Sequence, residues 1–206
     1  MFYDRIDAGE KLANKLVEFK NAKDTLVFGL ARGGVVVAKV VADKLNLPLD
    51  ILIAKKIIAP DDPELAIGAI AENGHSILND ELIGSHGVTP DYLDQNISQV
   101  KEEIDSEIKK YRHRDLKNFT DKTIILVDDG IATGKTMLAA TKYLKENNVG
   151  KIIIAVPVIA RESSEQLKKE AITSFYLAVP ENFFSINQFY EEFPQVTDEE
   201  ILKLIS

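Results

Sequence analysis

Residues 124–137 place two carboxylates and several small or hydroxyl side chains between a strand-like run and a helix-like run. The apolar residues 124–127 end in Asp128 and Asp129, and residues 130–136 follow before a helical pattern begins. Backbone N–H groups at a helix start bind phosphate, whereas carboxylates accept hydrogen bonds from hydroxyls or bind a cation. The run therefore predicts a ligand that carries a phosphate together with a diol or a bound cation, such as a sugar phosphate.

The same run also has features of a nucleotide-binding P-loop, because it closes on Gly134, Lys135 and Thr136. That motif requires a first glycine five residues before Gly134, and the residue at that position is Asp129. A carboxylate at the mouth of a triphosphate-binding loop would repel its ligand, so the spacing disfavours a kinase. A purely structural alternative is that the two acids only offset the dipole of the following helix.

Two further segments carry residues that suit an anionic ligand. Arg32 adds positive charge to Gly33 and Gly34, and a glycine pair lets several backbone amides face one anion. An ordinary tight turn is the alternative for that pair. Lys55 and Lys56 end another apolar run, and strand alternation sends them to opposite faces, so at most one of them faces a site. A solvated lysine pair is the alternative there.

Strand-like and helix-like segments alternate along the chain. The patterns predict strands at 25–30, 49–58, 65–72, 76–79, 124–127, 151–156 and 175–179, and helices at 8–19, 35–45, 90–112, 135–147 and 161–171. A capping box at Thr197 and Glu200 predicts one more helix. This alternation indicates an α/β fold with a mostly parallel sheet and helices on both faces. Ligands bind at the carboxyl ends of the strands in such sheets, where all three candidate segments lie.

The composition narrows the function classes. The chain has 206 residues, a net charge of −8 and no cysteine. The acidic balance argues against nucleic acid and anionic membrane as partners, and the lack of cysteine excludes disulfides and thiolate chemistry. We find neither a membrane-length apolar run nor a signal-peptide pattern, so we expect a cytoplasmic protein. With no repeat or linker, we expect a single domain over 1–206, elaborated at about 59–120.

The strand, the two acids and the Ala132-to-Thr136 loop together resemble the phosphoribosyl pyrophosphate signature of the type I phosphoribosyltransferases. Residues 30–35, Lys56, 63–69 and 190–200 are similar to an uncharacterised bacterial subgroup of that family, and most of the chain is covered. The resemblance implies a three-layer fold with a small hood at about 180–206. A lid is also needed, because water would hydrolyse the reaction intermediate, and about 79–121 is the candidate segment.

The resemblance implies transfer of a 5-phosphoribosyl group from phosphoribosyl pyrophosphate to a nitrogenous base, with Mg²⁺ as cofactor. Asp128, Asp129 and Arg32 are the implied catalytic residues, with both acids on the ribose hydroxyls. No protein metal site is expected, because Mg²⁺ would bind mainly through pyrophosphate and ribose oxygens. The predicted substrate-binding residues are Gly33, Gly34, Lys55, Lys56, Gly130, Ile131, Ala132, Thr133, Gly134, Lys135, Thr136 and Phe183.

The acceptor is not identified by the resemblance. Family members that use hypoxanthine or guanine carry an acid where this chain has Ala132, and Phe183 is only one of several aromatic candidates for a base-stacking wall. The expected partners are phosphoribosyl pyrophosphate and a base or nucleotide, with a homodimer as one candidate assembly. The alternative function is a non-catalytic regulator that binds phosphoribosyl pyrophosphate or a nucleotide.

Overall fold

A computed structural model describes residues 1–63, 65–112, 119–170 and 172–205. In chain order the elements are α1 (Arg5–Lys15), β1 (Thr25–Leu30), α2 (Gly33–Leu45), β2 (Leu49–Leu52), β3 (Ala54–Ile58), β4 (Ala66–Ala71), β5 (Ser76–Leu78), α3 (Asp80–Ser85), α4 (Pro90–Tyr111), β6 (Thr123–Val127), α5 (Lys135–Glu146), β7 (Lys151–Val158), α6 (Arg161–Lys169), β8 (Thr173–Ala178) and α7 (Asp198–Ile205). Short 3₁₀ turns lie at Val17–Phe19 and Ile186–Phe189.

The chain forms two compact units. The first comprises Met1–Ile51, Leu116–Thr133 and Asn147–Ser206, and the second comprises Leu52–Asp115 and Gly134–Glu146. The long α4 and the short α3 belong to the second unit, in the segment where we predict a lid. Residues 113–118 of that segment lie outside the described part of the chain, and the lid stays a prediction.

The first unit is built on a five-stranded sheet with the order β2-β1-β6-β7-β8. The pairs β1–β6, β6–β7 and β7–β8 are all parallel. Every residue of β1 is buried, as expected for a strand covered on both faces. The α/β class with a mostly parallel central sheet, predicted from the alternation of segments, is therefore confirmed.

One apolar core joins the sheet to the first two helices. Side chains from α1 and α2, among them Leu12, Val37 and Val41, pack with Ile125 and Val127 of β6 and with residues of β7. Residues on one face of the strands alternate with residues on the other, so these contacts use every second position. This packing fixes α1 and α2 against one face of the sheet.

The second unit contains an antiparallel sheet with the order β3-β4-β5. The predicted strands 65–72 and 76–79 correspond to β4 and β5, which form an antiparallel hairpin. Gly74 in its turn has φ +74°, a conformation that glycine adopts without strain. Helices α4 and α5 pack against β3 and β4. No described helix is long and apolar enough to cross a membrane.

Two predicted elements differ clearly from the structure, and α3 (Asp80–Ser85) lies where no helix was predicted. The predicted strand 49–58 is two strands in different sheets, β2 and β3, and between them the N–H of Ile53 donates to Glu72 Oε1 at 2.9 Å. Residues 49–58 contain no glycine or proline that would mark the break. Helix α1 begins at Arg5 rather than at residue 8, since the Asp4 side chain caps it by accepting the N–H of Asp7.

Candidate functional site

The segments after β1 and β6 leave the sheet side by side. These strands are adjacent and parallel, and Gly29 is opposite Val127 in their register. In the sheet, β2 lies on one side of β1, whereas β6, β7 and β8 lie on the other side. The order in which the strands follow one another therefore reverses between β1 and β6. Such switch points at the carboxyl ends of strands are the usual ligand sites of open α/β sheets. The structure thus brings together two of the three predicted segments.

Gly33 and Gly34 approach the two acids more closely than any other residue type would allow. A Cβ atom at Gly33 would lie 2.0 Å from Oδ2 of Asp129, and one at Gly34 would lie 2.8 Å from Cα of Asp128. Real Cβ atoms essentially never approach a heavy atom this closely. The glycine pair therefore serves close packing against the acid pair, and neither glycine has a positive φ.

Asp129 is buried and paired with a cation from the first helix. Nε of Arg5 donates to Oδ2 of Asp129 at 2.8 Å, and the two residues are 8% and 7% exposed. Burial raises the pKa of Asp129, and the charge of Arg5 opposes that shift. Arg5 therefore favours the ionised form of this carboxyl.

Asp128 lies in a different electrostatic environment. Its Oδ1 accepts the backbone N–H of Asp129 at 2.9 Å. Burial, followed by the negative charge of Asp129, raises the pKa of the Asp128 carboxyl well above its usual range. The adjacent acids thus differ: Asp129 is paired with a cation, while Asp128 retains a proton more readily.

Tyr190 supports the backbone of the acid pair. Its hydroxyl donates to the carbonyl of Asp129 at 2.6 Å, and its ring packs between Phe2 and Phe193. Burial and then the charge of Asp129 raise the pKa of Tyr190 above its usual range, so the hydroxyl stays a donor. The C-terminal segment is thereby fastened to the end of β6.

We expect Tyr190→Phe to lower the free energy of unfolding by about 1–2 kcal/mol, because it leaves a buried carbonyl without its hydroxyl donor. Urea unfolding at neutral pH measures this. Tyr3→Phe is the matched control: it removes an exposed hydroxyl that donates to Glu192, and we expect a change below about 0.5 kcal/mol. Equal losses in the two variants would contradict the assigned role of Tyr190.

Arg32 lies at the N-terminal end of α2. Its Nη1 pairs with Oδ1 of Asp198, the first residue of α7, at 2.9 Å, and both side chains are partly exposed. Helix α2 begins at the next residue, so the N–H groups of Gly33 and Gly34 belong to its first turn. The peptide bond between Ala31 and Arg32 is cis, a feature for which the sequence carries no proline signal.

The first half of the loop after the acids is anchored to β7 and α6. Ile131 is buried, its N–H donates to the carbonyl of Val158, and its carbonyl accepts from Ala160. Oγ of Ser163 donates to the carbonyl of Ala132. Gly130 packs so closely against Ile186 that a Cβ there would lie 2.8 Å from Cγ2.

The second half of the loop is a helix start. Gly134 has φ +72°, and its carbonyl accepts the N–H of Leu138. α5 begins at Lys135, so the N–H groups of Lys135, Thr136 and Met137 belong to its first turn, where such groups lack intrahelical partners. The predicted arrangement of a strand, two acids, a loop and a helix is confirmed, and Thr133 is the exposed residue of that loop.

Lys55 and Lys56 lie on β3 in the second unit. Nζ of Lys55 pairs with Glu103 at 3.1 Å and with Glu107 at 3.0 Å, both on α4. Burial lowers the pKa of Lys55, but the two glutamates outweigh it and the net shift is upward. Lys56 is exposed. The two lysines differ as alternation predicts, and their role in a site stays a prediction.

Phe183 and its neighbour differ in exposure. The Phe183 ring is partly buried against Phe189, with centroids 5.1 Å apart, whereas Phe184 is 88% exposed. Their loop is held by Gln188, whose Oε1 accepts the backbone N–H of Phe184. Of the two adjacent rings, Phe184 is the more exposed, and a role of Phe183 in binding a base stays a prediction.

The expected cofactor is Mg²⁺, so we searched for side chains that could bind a metal ion. In the ranges that the structure describes, no group of three or more His, Cys, Asp or Glu side chains is arranged to hold a metal ion. Of the acid pair, Asp129 already binds Arg5 through Oδ2. One oxygen of the acid pair is thus engaged by Arg5, and a cation bound at the pair would take most of its ligands from elsewhere.

The family follows from comparison of the whole chain with known proteins. The family model for the phosphoribosyl transferase domain matches residues 2–194. The chain belongs to this family. The resemblance inferred from the acid pair and its loop is thereby confirmed for nearly the whole length of this phosphoribosyl transferase domain.

Several relatives are similar to this phosphoribosyl transferase domain. A provisionally named phosphoribosyl transferase of Mycobacterium tuberculosis is 35% identical over 206 residues, covering 100% of this chain and 46% of the relative. The chain thus spans about half the length of that curated relative. The structure of TT1426 from Thermus thermophilus is 33% identical, covers 99% of this chain and 97% of that one, and has a TM-score of 0.80.

A more distant structure shares the fold of this phosphoribosyl transferase domain. The purine phosphoribosyltransferase from Pyrococcus horikoshii is 22% identical, covers 94% of this chain and 93% of that one, and has a TM-score of 0.51.

Sequence reasoning missed two residues of the site, Arg5 and Tyr190. Arg5, Ala8 and Leu12 lie on the same buried face of α1. The helical spacing of the apolar residues, extended towards the N-terminus, therefore places the cation Arg5 on an apolar face. A charge at a core position was the available signal. For Tyr190 no local pattern distinguishes a hydroxyl that reaches the site from a ring that fills the core.

Proposed function

We propose that this domain transfers a 5-phosphoribosyl group from phosphoribosyl pyrophosphate to a nitrogenous base and releases pyrophosphate. The observation that carries the proposal is the packing of Gly33 and Gly34 against Asp128 and Asp129. It sets the first turn of α2, which suits an anion, beside carboxylates that suit hydroxyls. Phosphoribosyl pyrophosphate carries both groups on one small sugar.

In the proposed reaction the bond from ribose C1 to the pyrophosphate oxygen breaks and an N-glycosidic bond to the base forms. The electron pair of the broken bond leaves with pyrophosphate, so negative charge grows there in the transition state. Arg32 and the N–H groups of Gly33 and Gly34 are the groups that would stabilise this charge. Arg32 would exchange its contact with Asp198 for the leaving group.

The remaining residues would bind and orient the donor. A carboxylate of the acid pair accepts hydrogen bonds from the ribose hydroxyls, and backbone N–H groups of residues 132–136 bind the 5′-phosphate. Catalysis would then rest on positioning and electrostatics rather than on a protein nucleophile. All of these contacts are made to the donor, so they do not identify the acceptor base.

Mg²⁺ fits this proposal as a companion of the donor. The protein would hold it through a carboxylate of the acid pair and mainly through pyrophosphate and ribose oxygens of the donor, and when bound it would neutralise charge on the leaving group.

A pyrophosphate-release assay with Mg²⁺, phosphoribosyl pyrophosphate and a panel of purine and pyrimidine bases tests the proposal. We expect release that depends on one class of base. We expect Asp128→Asn to weaken donor binding by about tenfold or more, the order of one charge-assisted hydrogen bond, and Asp24→Asn, an exposed acid paired with Lys122, to change nothing.

The outcomes separate the candidate functions. Donor binding without release from any base would support the regulatory alternative. No binding of phosphoribosyl pyrophosphate at all would overturn the assignment of the site. Because the chain spans 46% of the curated relative, the assay concerns the activity of these 206 residues and not that of a longer protein.

A further inference from the structure

Arg5 is a buried cation that the proposed reaction does not use directly. Three contacts fix its guanidinium: Nε donates to Oδ2 of Asp129 at 2.8 Å, Nη1 donates to the carbonyl of Pro194 at 2.7 Å, and its central carbon lies 3.7 Å from the centroid of the Phe193 ring. A guanidinium held by a carboxylate, a carbonyl and a ring face keeps one orientation. Arg5 is thus built as a rigid support.

The carboxylate that Arg5 holds is constrained from a second side. Oδ2 of Asp129 accepts from Arg5 and also lies where a Cβ of Gly33 would stand, 2.0 Å from that position. This oxygen is already occupied by a strong, charge-assisted partner. The orientation of the Asp129 carboxylate is therefore set by a buried ion pair, and loss of Arg5 would leave an uncompensated charge there.

The support extends from Asp129 to Asp128. The backbone N–H of Asp129 donates to Oδ1 of Asp128, and the hydroxyl of Tyr190 holds the carbonyl of Asp129. The orientation of the Asp128 carboxylate therefore depends on a residue whose side chain and backbone are both held in place.

We propose that Arg5 is a positioning residue that holds Asp129, and through its backbone Asp128, in the orientation in which the acid pair accepts the ribose hydroxyls. This role rests on the proposed function. Arg5 touches no substrate in this arrangement and acts through Asp129.

The test compares two ligands on a small set of variants. The dissociation constants of phosphoribosyl pyrophosphate and of inorganic pyrophosphate, each with Mg²⁺, are measured by calorimetry for wild type, Arg5→Met and Arg5→Lys. Lys11→Met, which removes an exposed cation of α1 paired with Asp7, is the matched control. Only the first ligand carries ribose hydroxyls, so the comparison separates positioning of the acids from general loss of structure.

We expect Arg5→Met to weaken binding of phosphoribosyl pyrophosphate by about tenfold and binding of pyrophosphate by less than about twofold. Arg5→Lys keeps the charge but cannot reach Asp129 and Pro194 together, so it should fall between wild type and Arg5→Met. Lys11→Met should bind both ligands as wild type does. A double variant, Arg5→Met with Asp129→Asn, should bind no more weakly than the weaker single variant.

Three results would overturn the inference: unchanged affinity in Arg5→Met, equal loss for both ligands, or additive losses in the double variant. If Arg5→Met does not fold, Arg5→Lys and Phe193→Leu decide by the same ligand comparison, since Phe193→Leu removes the ring beneath the guanidinium. Wild-type protein that binds pyrophosphate but not phosphoribosyl pyrophosphate would overturn the proposed function itself. Wild-type binding of both ligands, with no selective loss in the variants, would overturn only the role of Arg5.

Discussion

Asp129→Asn should destabilise the protein by about 3 kcal/mol, because it leaves the buried guanidinium of Arg5 without its charged partner. The asparagine oxygen can still accept the Nε hydrogen bond, but it carries no charge to compensate Arg5. The midpoint of thermal unfolding should fall by about 2–4 °C for each kcal/mol lost.

At neutral pH, Asp128→Asn should stabilise the protein, in contrast to Asp129→Asn. The pKa of Asp128 is raised in the folded state, so between the ordinary and the raised value the folded protein binds more protons than the unfolded chain. Stability contributed by this group is therefore lost as pH rises through that window and stays lower above it. An asparagine does not titrate, so it removes this loss of stability. We therefore expect the free energy of unfolding to rise by about 0.5–2 kcal/mol.

Chemical unfolding of wild type and both variants at several pH values measures this pair of effects. The difference between Asp128→Asn and wild type should vanish at a pH below the ordinary pKa of aspartate and grow as the pH rises. Asp24→Asn is again the control, because that exposed acid is paired with Lys122 and its pKa is lowered instead. Destabilisation by both variants would show that the two acids share one structural role.

Gly34→Ala is the second change for which we expect a large effect. The new Cβ would lie 2.8 Å from Cα of Asp128 and 2.8 Å from the carbonyl oxygen of Val127, and both are backbone atoms that cannot rotate away. Overpacking of this kind costs about 1–3 kcal/mol. The displacement would also separate the first turn of α2 from the acid pair, so donor binding should be lost in the same variant.

Gly84→Ala is the matched control for that substitution. A Cβ at Gly84 meets nothing within 4 Å, and the residue lies in α3 without a positive φ. There the same chemical change should stabilise the helix by up to about 1 kcal/mol. Thermal unfolding and donor-binding measurements on both variants test the pair, and tolerance of alanine at Gly34 with wild-type binding would contradict the close packing described for the acid pair.

Much of the fold was predictable because its signals are local. The apolar runs of β1, β6 and β7, the period of α4 and the capping box before α7 each lie within a short stretch of chain. The break between β2 and β3 has no local turn signal, and the contact found there joins Ile53 to Glu72, which is distant in sequence. Helix α1 begins earlier than predicted because Asp4 caps it ahead of the first apolar positions of the pattern.

The sequence by itself determined that two acids and a phosphate-sized loop stand between a buried strand and a helix, because strand, loop and helix are consecutive. It also determined the family, since the motif combines residue types that few other sites require. Only the tertiary structure decided how the two acids differ. Arg5 is 124 residues away from Asp129 and Tyr190 is 61 residues away, and their contacts depend on how α1 and the C-terminal segment pack. Adjacent, identical side chains acquire different electrostatic environments from partners that no local pattern reveals.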